Sequence, residues 1–241
     1  TLDDLVDAMR WSAGLSVAGV PPNPSPARVI NMSLGGLALE CPNLLQQVAN
    51  EIHATGAVMI AAAGNESLPA EYSIPASCQH VMSIAAHDQN GDISWFSNYG
   101  AVDISAPGEG ILLATCSSTT SYACDNSLAS ELNDGTSFAA PMVAGVAALL
   151  FARDPNINNF YVEQVLRESA RAFPAGSTCA GLCGYGMLDA ARAVAMVTTF
   201  TPAAHQIEIT DDGGGAASSW FWLLLLVLSL LARQLYQRRA K

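Results

Sequence analysis

The sequence predicts an α/β domain built on a mainly parallel sheet, and three observations carry that expectation. Short apolar runs alternate with longer stretches of helical periodicity. One run, Ala57-Val58-Met59-Ile60-Ala61-Ala62-Ala63, is apolar at every position, as a strand covered on both faces must be. With 241 residues, 51% hydrophobic and 13% charged, the chain is long and apolar enough to bury a sizeable core.

Each element follows in order. Leu2 to Ala13 reads as an amphipathic helix with Leu5, Ala8, Met9 and Ala13 on one face and Asp3, Asp4, Asp7 and Arg10 elsewhere. Pro21 to Pro26 is a rigid loop, since each proline fixes φ and removes a donor. Val29 to Ser33 is a short buried strand that ends in a sharp turn at Gly35-Gly36. Leu44 to Thr55 is a second helix, stopped at Gly56. Val81 to Ala86 and Ala101 to Ser105 are further strands, and Phe160 to Ala172 and Met187 to Val197 are late helices on the outside of the sheet. Gly36 and Asn65 fall at strand carboxyl ends, where ligands bind on such sheets.

All 21 acidic residues lie at or before Asp212, so the part up to that point carries −15 and the remainder +4. A domain this acidic repels nucleic acid. The six cysteines (Cys41, Cys78, Cys116, Cys124, Cys179 and Cys183) show no Cys-x-x-Cys spacing, which disfavours zinc. An even number in a Lys-poor acidic domain points to disulfides formed outside the cytosol. Six cysteines allow 15 pairings. Proximity suggests Cys116–Cys124 and Cys179–Cys183, leaving Cys41–Cys78; free buried thiols are the alternative.

The stretch richest in chemistry is Asp134-Gly135-Thr136-Ser137-Phe138-Ala139-Ala140-Pro141, which runs into the small-residue helix Met142 to Leu150. It sets a serine at a helix mouth, near free backbone N–H groups and the positive end of the dipole. That location favours negative charge developing on a neighbouring oxygen, as acyl transfer requires. A capping serine on a core helix is the plainer reading.

Gly135 to Pro141 matches Gly-Thr-Ser-x-Ala-x-Pro and so resembles the nucleophile motif of subtilisin-like (S8) serine proteases. Val29 to Gly36 resembles that family's substrate-binding strand, and Ala61-Ala62-Ala63-Gly64-Asn65 its oxyanion block. Val81 to Ala86, Phe96 to Gly100 and Ser105 to Gly108 continue the likeness, which covers residues 1–197. The resemblance implies a three-layer subtilisin-like domain, incomplete at its N-terminus, from an exported endopeptidase that works through an acyl-enzyme. Ser137 would be the nucleophile and Asn65, with the backbone N–H of Ser137, the oxyanion donor; Thr136 would support them. Ser33, Leu34 and Gly35 would present backbone groups to an extended polypeptide substrate. Ala62, Ala63 and Gly64 would wall the first side-chain pocket, left open for a large apolar or aromatic group. Phe138 and Met142 stand where the family most often has methionine and commonly histidine.

The chemistry requires no cofactor and the sequence shows no metal-ligand set; a structural calcium would be a family trait, yet no Asp-x-Asp-x-Asp loop is present. The Asp-x-Gly and His-Gly-Thr blocks that carry the family's acid and base are absent. His53, His80, His87 and His205 match neither block. Acid and base are therefore expected before Thr1, and the chain alone is expected to be inert. The alternative is a non-catalytic, membrane-tethered peptide-binding module.

Residues 198–215 read as a linker with a flexible Gly213-Gly214-Gly215 step, 216–232 as an uncharged membrane-spanning helix of about 25 Å, and 233–241 as a basic cytoplasmic tail. This tail resembles the bacterial GlyGly-type sorting signals. The resemblance implies a transient membrane anchor, cleavage near the glycines by a membrane sorting protease, and release to the cell surface or beyond.

Overall fold

The computed structural model describes residues 1–113 and 132–199. In chain order these form α1 (Leu2–Ser12), β1 (Val29–Met32), β2 (Gly36–Leu37), α2 (Asn43–Ala54), β3 (Val58–Ala62), β4 (Ser73–Ile74), β5 (Val81–His87), β6 (Ile104–Pro107), β7 (Ile111–Leu112), β8 (Leu132–Asn133), α3 (Thr136–Arg153), α4 (Asn159–Ser169) and α5 (Ala190–Thr199). Thr198 and Thr199, expected to open the linker, instead end α5, while Cys116, Cys124, His205, the rest of the linker, the apolar segment and the basic tail lie outside the described residues.

The central sheet has the order β1-β3-β5-β6, and all three pairings are parallel. β3 shows why the apolar run folds as it does. Its alternate residues Val58, Ile60 and Ala62 enter one core cluster and Met59 and Ala61 the other, so no face is left for polar groups. On one side, α2 buries Leu45, Val48, Ala49 and Ile52 at helical spacing, beside Val6 and Met9 of α1. On the other side, α3 lies across the sheet through Ala139, Ala140, Val143, Ala147 and Leu150. Each large side chain withdrawn in this way stabilises the fold by about 1.5–3 kcal/mol. Helices on both faces of the sheet make three layers; α4 and α5 pack on α3 and on each other, and α4 also reaches β3.

Several boundaries differ from the sequence reading, each for a local reason. Val6 and Met9, not Ala8, form the buried face of α1. β6 begins at Ile104 rather than Ala101, because Asp103 turns its carboxylate onto the Ser83 N–H (2.7 Å) and the Arg167 guanidinium (2.8 Å). α4 stops at Ser169, and Arg171 instead exchanges two backbone hydrogen bonds with Met187 (2.8 Å each). That bridge keeps Met187 out of α5, which starts after Asp189 accepts the Arg192 N–H (2.9 Å). Gly36 does more than end a turn: with Leu37 it pairs antiparallel to Ile74 and Ser73. Cys41–Cys78 and Cys179–Cys183 are joined. The first closes a loop of 37 residues, worth on the order of 3–4 kcal/mol in the chain-entropy picture.

Candidate active site

The turn into α3 sets Ser137 in the first turn of an 18-residue helix, one face of which is buried against the sheet. Pro141 lies four residues on and has no N–H, so the Ser137 carbonyl lacks its usual intrahelical donor. Ser33 fills that gap: its hydroxyl donates to the Ser137 carbonyl at 2.8 Å, and Asn31 Nδ2 donates to Ser33 Oγ at 3.0 Å. In return the Ser137 hydroxyl donates to the Ser33 carbonyl at 3.3 Å. The end of β1 and the mouth of α3 are thus tied across 104 residues of sequence.

Asn65 follows β3 at its carboxyl end. Its Oδ1 accepts the Thr136 N–H (2.9 Å) and the Thr136 hydroxyl (2.8 Å), while Thr136 Oγ1 accepts the Gly64 N–H (3.2 Å). Thr136 is fully buried, so this clamp is shielded from water. With Oδ1 committed, Asn65 keeps its Nδ2 hydrogens for the cavity beside Ser137. An amide there donates at any pH, since it does not titrate.

That cavity, about 110 Å³, runs between Leu34–Gly36 on one side and Ala62, Gly64 and Asn65 on the other, with Thr136 and Ser137 at its end. Ala63 does not line it; its side chain is fully buried in the cluster around Cys179 and Cys183. Nor does Ser33, whose part is the pair of bonds to Ser137. The walls are neither wholly small nor wholly apolar, because Glu66 and Ser73 also line them. Asn98 explains the position of Glu66. Fully buried, it donates from Nδ2 to the Ala63 carbonyl and to Glu66 Oε2, both at 2.9 Å, and its Oδ1 accepts the N–H groups of Glu66 (3.1 Å) and Leu68 (2.9 Å). Gly64 permits this close arrangement: at φ +106° it has no Cβ, and one built there would collide with Asn98 Nδ2 and lie 2.7 Å from Glu66 Oε2.

Across Leu34–Gly36 lies a second, apolar hollow of about 530 Å³ lined by Leu2, Leu5 and Ala8 of α1 and by Ile74. The sequence reading assigned no site role to α1, Glu66, Ser73 or Asn98. Glu66 stands directly after Asn65, and Asn98 lies inside a stretch already matched to the family, so both had a signal in the sequence.

Among the described residues no imidazole contacts Ser137. His53 stacks on His80 with ring centroids 4.0 Å apart, and burial and the neighbouring ring hold its pKa below the usual value. His87 is buried, bonds through Nδ1 to Ser105 Oγ at 2.9 Å, and is pressed down to about 4 by desolvation. Among the described residues no three His, Cys, Asp or Glu side chains converge as a metal-ligand set, so a structural calcium finds no such set here.

A serine beside a fixed amide donor, at the edge of a groove lined by backbone, is the arrangement of a serine peptidase, and comparison with known proteins gives the class. Residues 1–186 match the model of the subtilase family, peptidase S8, and the chain belongs to that family. It is 40% identical over 201 residues to an extracellular protease of Xanthomonas campestris pv. campestris, covering 80% of this chain and 33% of that protein. It is 38% identical over 198 residues to the extracellular basic protease of Dichelobacter nodosus, covering 79% of this chain and 32% of that one. Among solved structures, a protease from Pseudoalteromonas arctica superposes with a TM-score of 0.73 at 36% identity, covering 82% of this chain and 59% of that one. The chain therefore spans about a third of the length of the two protease sequences.

Proposed function

We propose that this chain is the nucleophile-bearing part of an exported serine endopeptidase. Ser137 attacks the scissile carbonyl, and Asn65 Nδ2 and the Ser137 N–H hold the oxyanion. The observation that carries this reading is the pair of hydrogen bonds that Thr136 donates, from its N–H and its hydroxyl, to Asn65 Oδ1, which leaves only the donor end of the amide for the cavity at Ser137. An extended peptide lies along Ser33–Gly36 as an added strand. Its side chain at the scissile position enters the cavity beside Glu66, and a second side chain, further toward the peptide's N-terminus, takes the apolar hollow against Leu2 and Leu5. Basic or polar groups suit the first position better than acidic ones.

The general base and its orienting carboxylate belong to polypeptide preceding Thr1. Two features support this. β1 stands at the edge of the sheet, and α3 exposes an apolar stripe of Pro141, Met142, Gly145, Ala148, Leu149 and Ala152 beginning one turn past Ser137. An apolar stripe of that length calls for cover. The extracellular relatives support export. We assign residues 216–232 as a temporary membrane anchor, removed near Gly214 or Gly215 by a membrane sorting protease.

The test is peptide hydrolysis by the polypeptide extended upstream of Thr1. Turnover that Ser137→Ala abolishes supports the reading. Saturable peptide binding without turnover in that same extended polypeptide would establish the non-catalytic module instead.

A further inference from the structure

A second cavity, about 560 Å³, opens at the carboxyl ends of β5 and β6, where His87 and Pro107 are the last strand residues. It shares no lining residue with the peptide groove. Its volume suits a small organic ligand.

Its charges are arranged unusually. Glu109 and Arg171 line it with opposite sign, yet no ion pair joins them, and among the described residues neither side chain has any hydrogen bond or ion pair. Asp88 also lines it but is spent on its own turn: Oδ1 accepts the N–H groups of Asn90 and Asp92, and Oδ2 accepts Asn90 Nδ2. His87 is only 6% exposed and lines the same space. Its Nδ1 is held by Ser105, so Nε2 is the ring nitrogen left for a ligand. Burial keeps the ring neutral at pH 7, so it adds a polar atom without a charge. Pro107, Pro174 and Met187 supply apolar surface.

We propose that this cavity binds a small zwitterion, a free α-amino acid or a very short peptide, with its carboxylate on Arg171, its ammonium on Glu109 and its body over Pro107, Pro174 and Met187. A simple anion would leave Glu109 unpaired and set beside it, and a simple cation would do the same to Arg171; one molecule carrying both charges satisfies both walls. A polar group of the ligand meets His87 Nε2. The cavity wall also touches the nucleophile's turn. The Gly135 N–H donates to the Gly108 carbonyl (2.8 Å) and Asp134 Oδ1 accepts the Gly110 N–H (2.8 Å), so a ligand bearing on Pro107–Glu109 sits one backbone bond from the start of α3. On the peptidase reading, ligands of this class are the products of hydrolysis, and occupancy links their concentration to the setting of Ser137. The binding itself does not depend on that reading.

The test is calorimetric titration of Ser137→Ala protein, in which turnover is removed, with glycyl-leucine, N-acetyl-glycyl-leucine and glycyl-leucinamide, read in parallel by the imidazole nitrogen resonances of His87. Glycyl-leucine is expected to bind saturably and to shift the His87 resonances. Each blocked form is expected to bind at least ~10-fold more weakly, as is glycyl-leucine to Arg171→Gln or Glu109→Gln protein. Among the described residues neither substituted side chain makes a hydrogen bond or ion pair, so both variants are expected to keep the native structure, which their far-ultraviolet circular dichroism checks. Absence of saturable binding, equal binding of a blocked form, or full affinity in both variants would overturn the proposal. Because no hydrolysis is measured, such a result leaves the peptidase reading to its own test.

Discussion

Replacing Glu163 with glutamine should abolish the pH dependence of stability that this residue imposes. Glu163 lies on α4 with 7% of its surface exposed. One carboxyl oxygen, Oε1, is buried without a partner among the described residues, and the other reaches Arg167 only at 3.5 Å. Arg167 is already engaged by Asp103 at 2.8 Å. Burial therefore outweighs the guanidinium and pushes the Glu163 carboxyl from an ordinary 4.5 up to about 7. The native state holds this proton more tightly than the unfolded chain does, so the contribution to stability is complete below about pH 4.5 and is lost as pH rises through 7. At about 1.4 kcal/mol per unit, ionisation removes at most about 3 kcal/mol by pH 8. Glutamine keeps the shape and a donor without the charge. Urea unfolding at a series of pH values from about 5 to 8.5 should show the variant gaining on the parent by about 2–3 kcal/mol across that range. Parallel curves would refute the reasoning, since they would mean the carboxylate is ionised in the native state at little cost.

Other substitutions probe the site in the polypeptide extended upstream of Thr1. Asn65→Ala should lower kcat on the order of 10²- to 10³-fold with KM little changed, which initial-rate kinetics on a peptide substrate would read. Ser33→Ala leaves the Ser137 carbonyl without a donor behind Pro141; it should cost about 1–3 kcal/mol of stability in urea unfolding and lower kcat. Glu66→Gln keeps an acceptor for Asn98 and Asn65 but removes a charge from the groove wall, so kcat/KM for peptides with lysine or arginine at the scissile position should fall about three- to tenfold relative to leucine.

The parallel sheet was legible because β3 is apolar at every position and the strands beside it are short and mostly apolar, a pattern that depends on little beyond local sequence. β3 and β5 came out within a residue of their expected ends, and α2 within one as well. Misplaced boundaries share a cause. Asp103, Arg171 and Met187 are fixed by partners 16 to 64 residues away, and no local period encodes a contact of that range. Proximity in sequence found Cys179–Cys183 and left Cys41–Cys78 as the remainder; both bonds are present. At the site, the motif order brought Asn65 and Ser137 to one cavity. The division of labour within the motifs was not legible. Which end of the Asn65 amide is free depends on Thr136, the polarity of the groove depends on Asn98 holding Glu66, and the need for Ser33 arises from the N–H that Pro141 lacks. Each is a tertiary consequence of side-chain direction.

The most direct measurement is covalent labelling of the upstream-extended polypeptide with a fluorophosphonate, followed by mass spectrometry of the modified peptide. Ser137 attacking an electrophilic centre beside Asn65 predicts a single adduct on the peptide containing Ser137, formed much more slowly in Asn65→Ala protein. An adduct on another residue, or none in a folded extended polypeptide, would contradict the assignment.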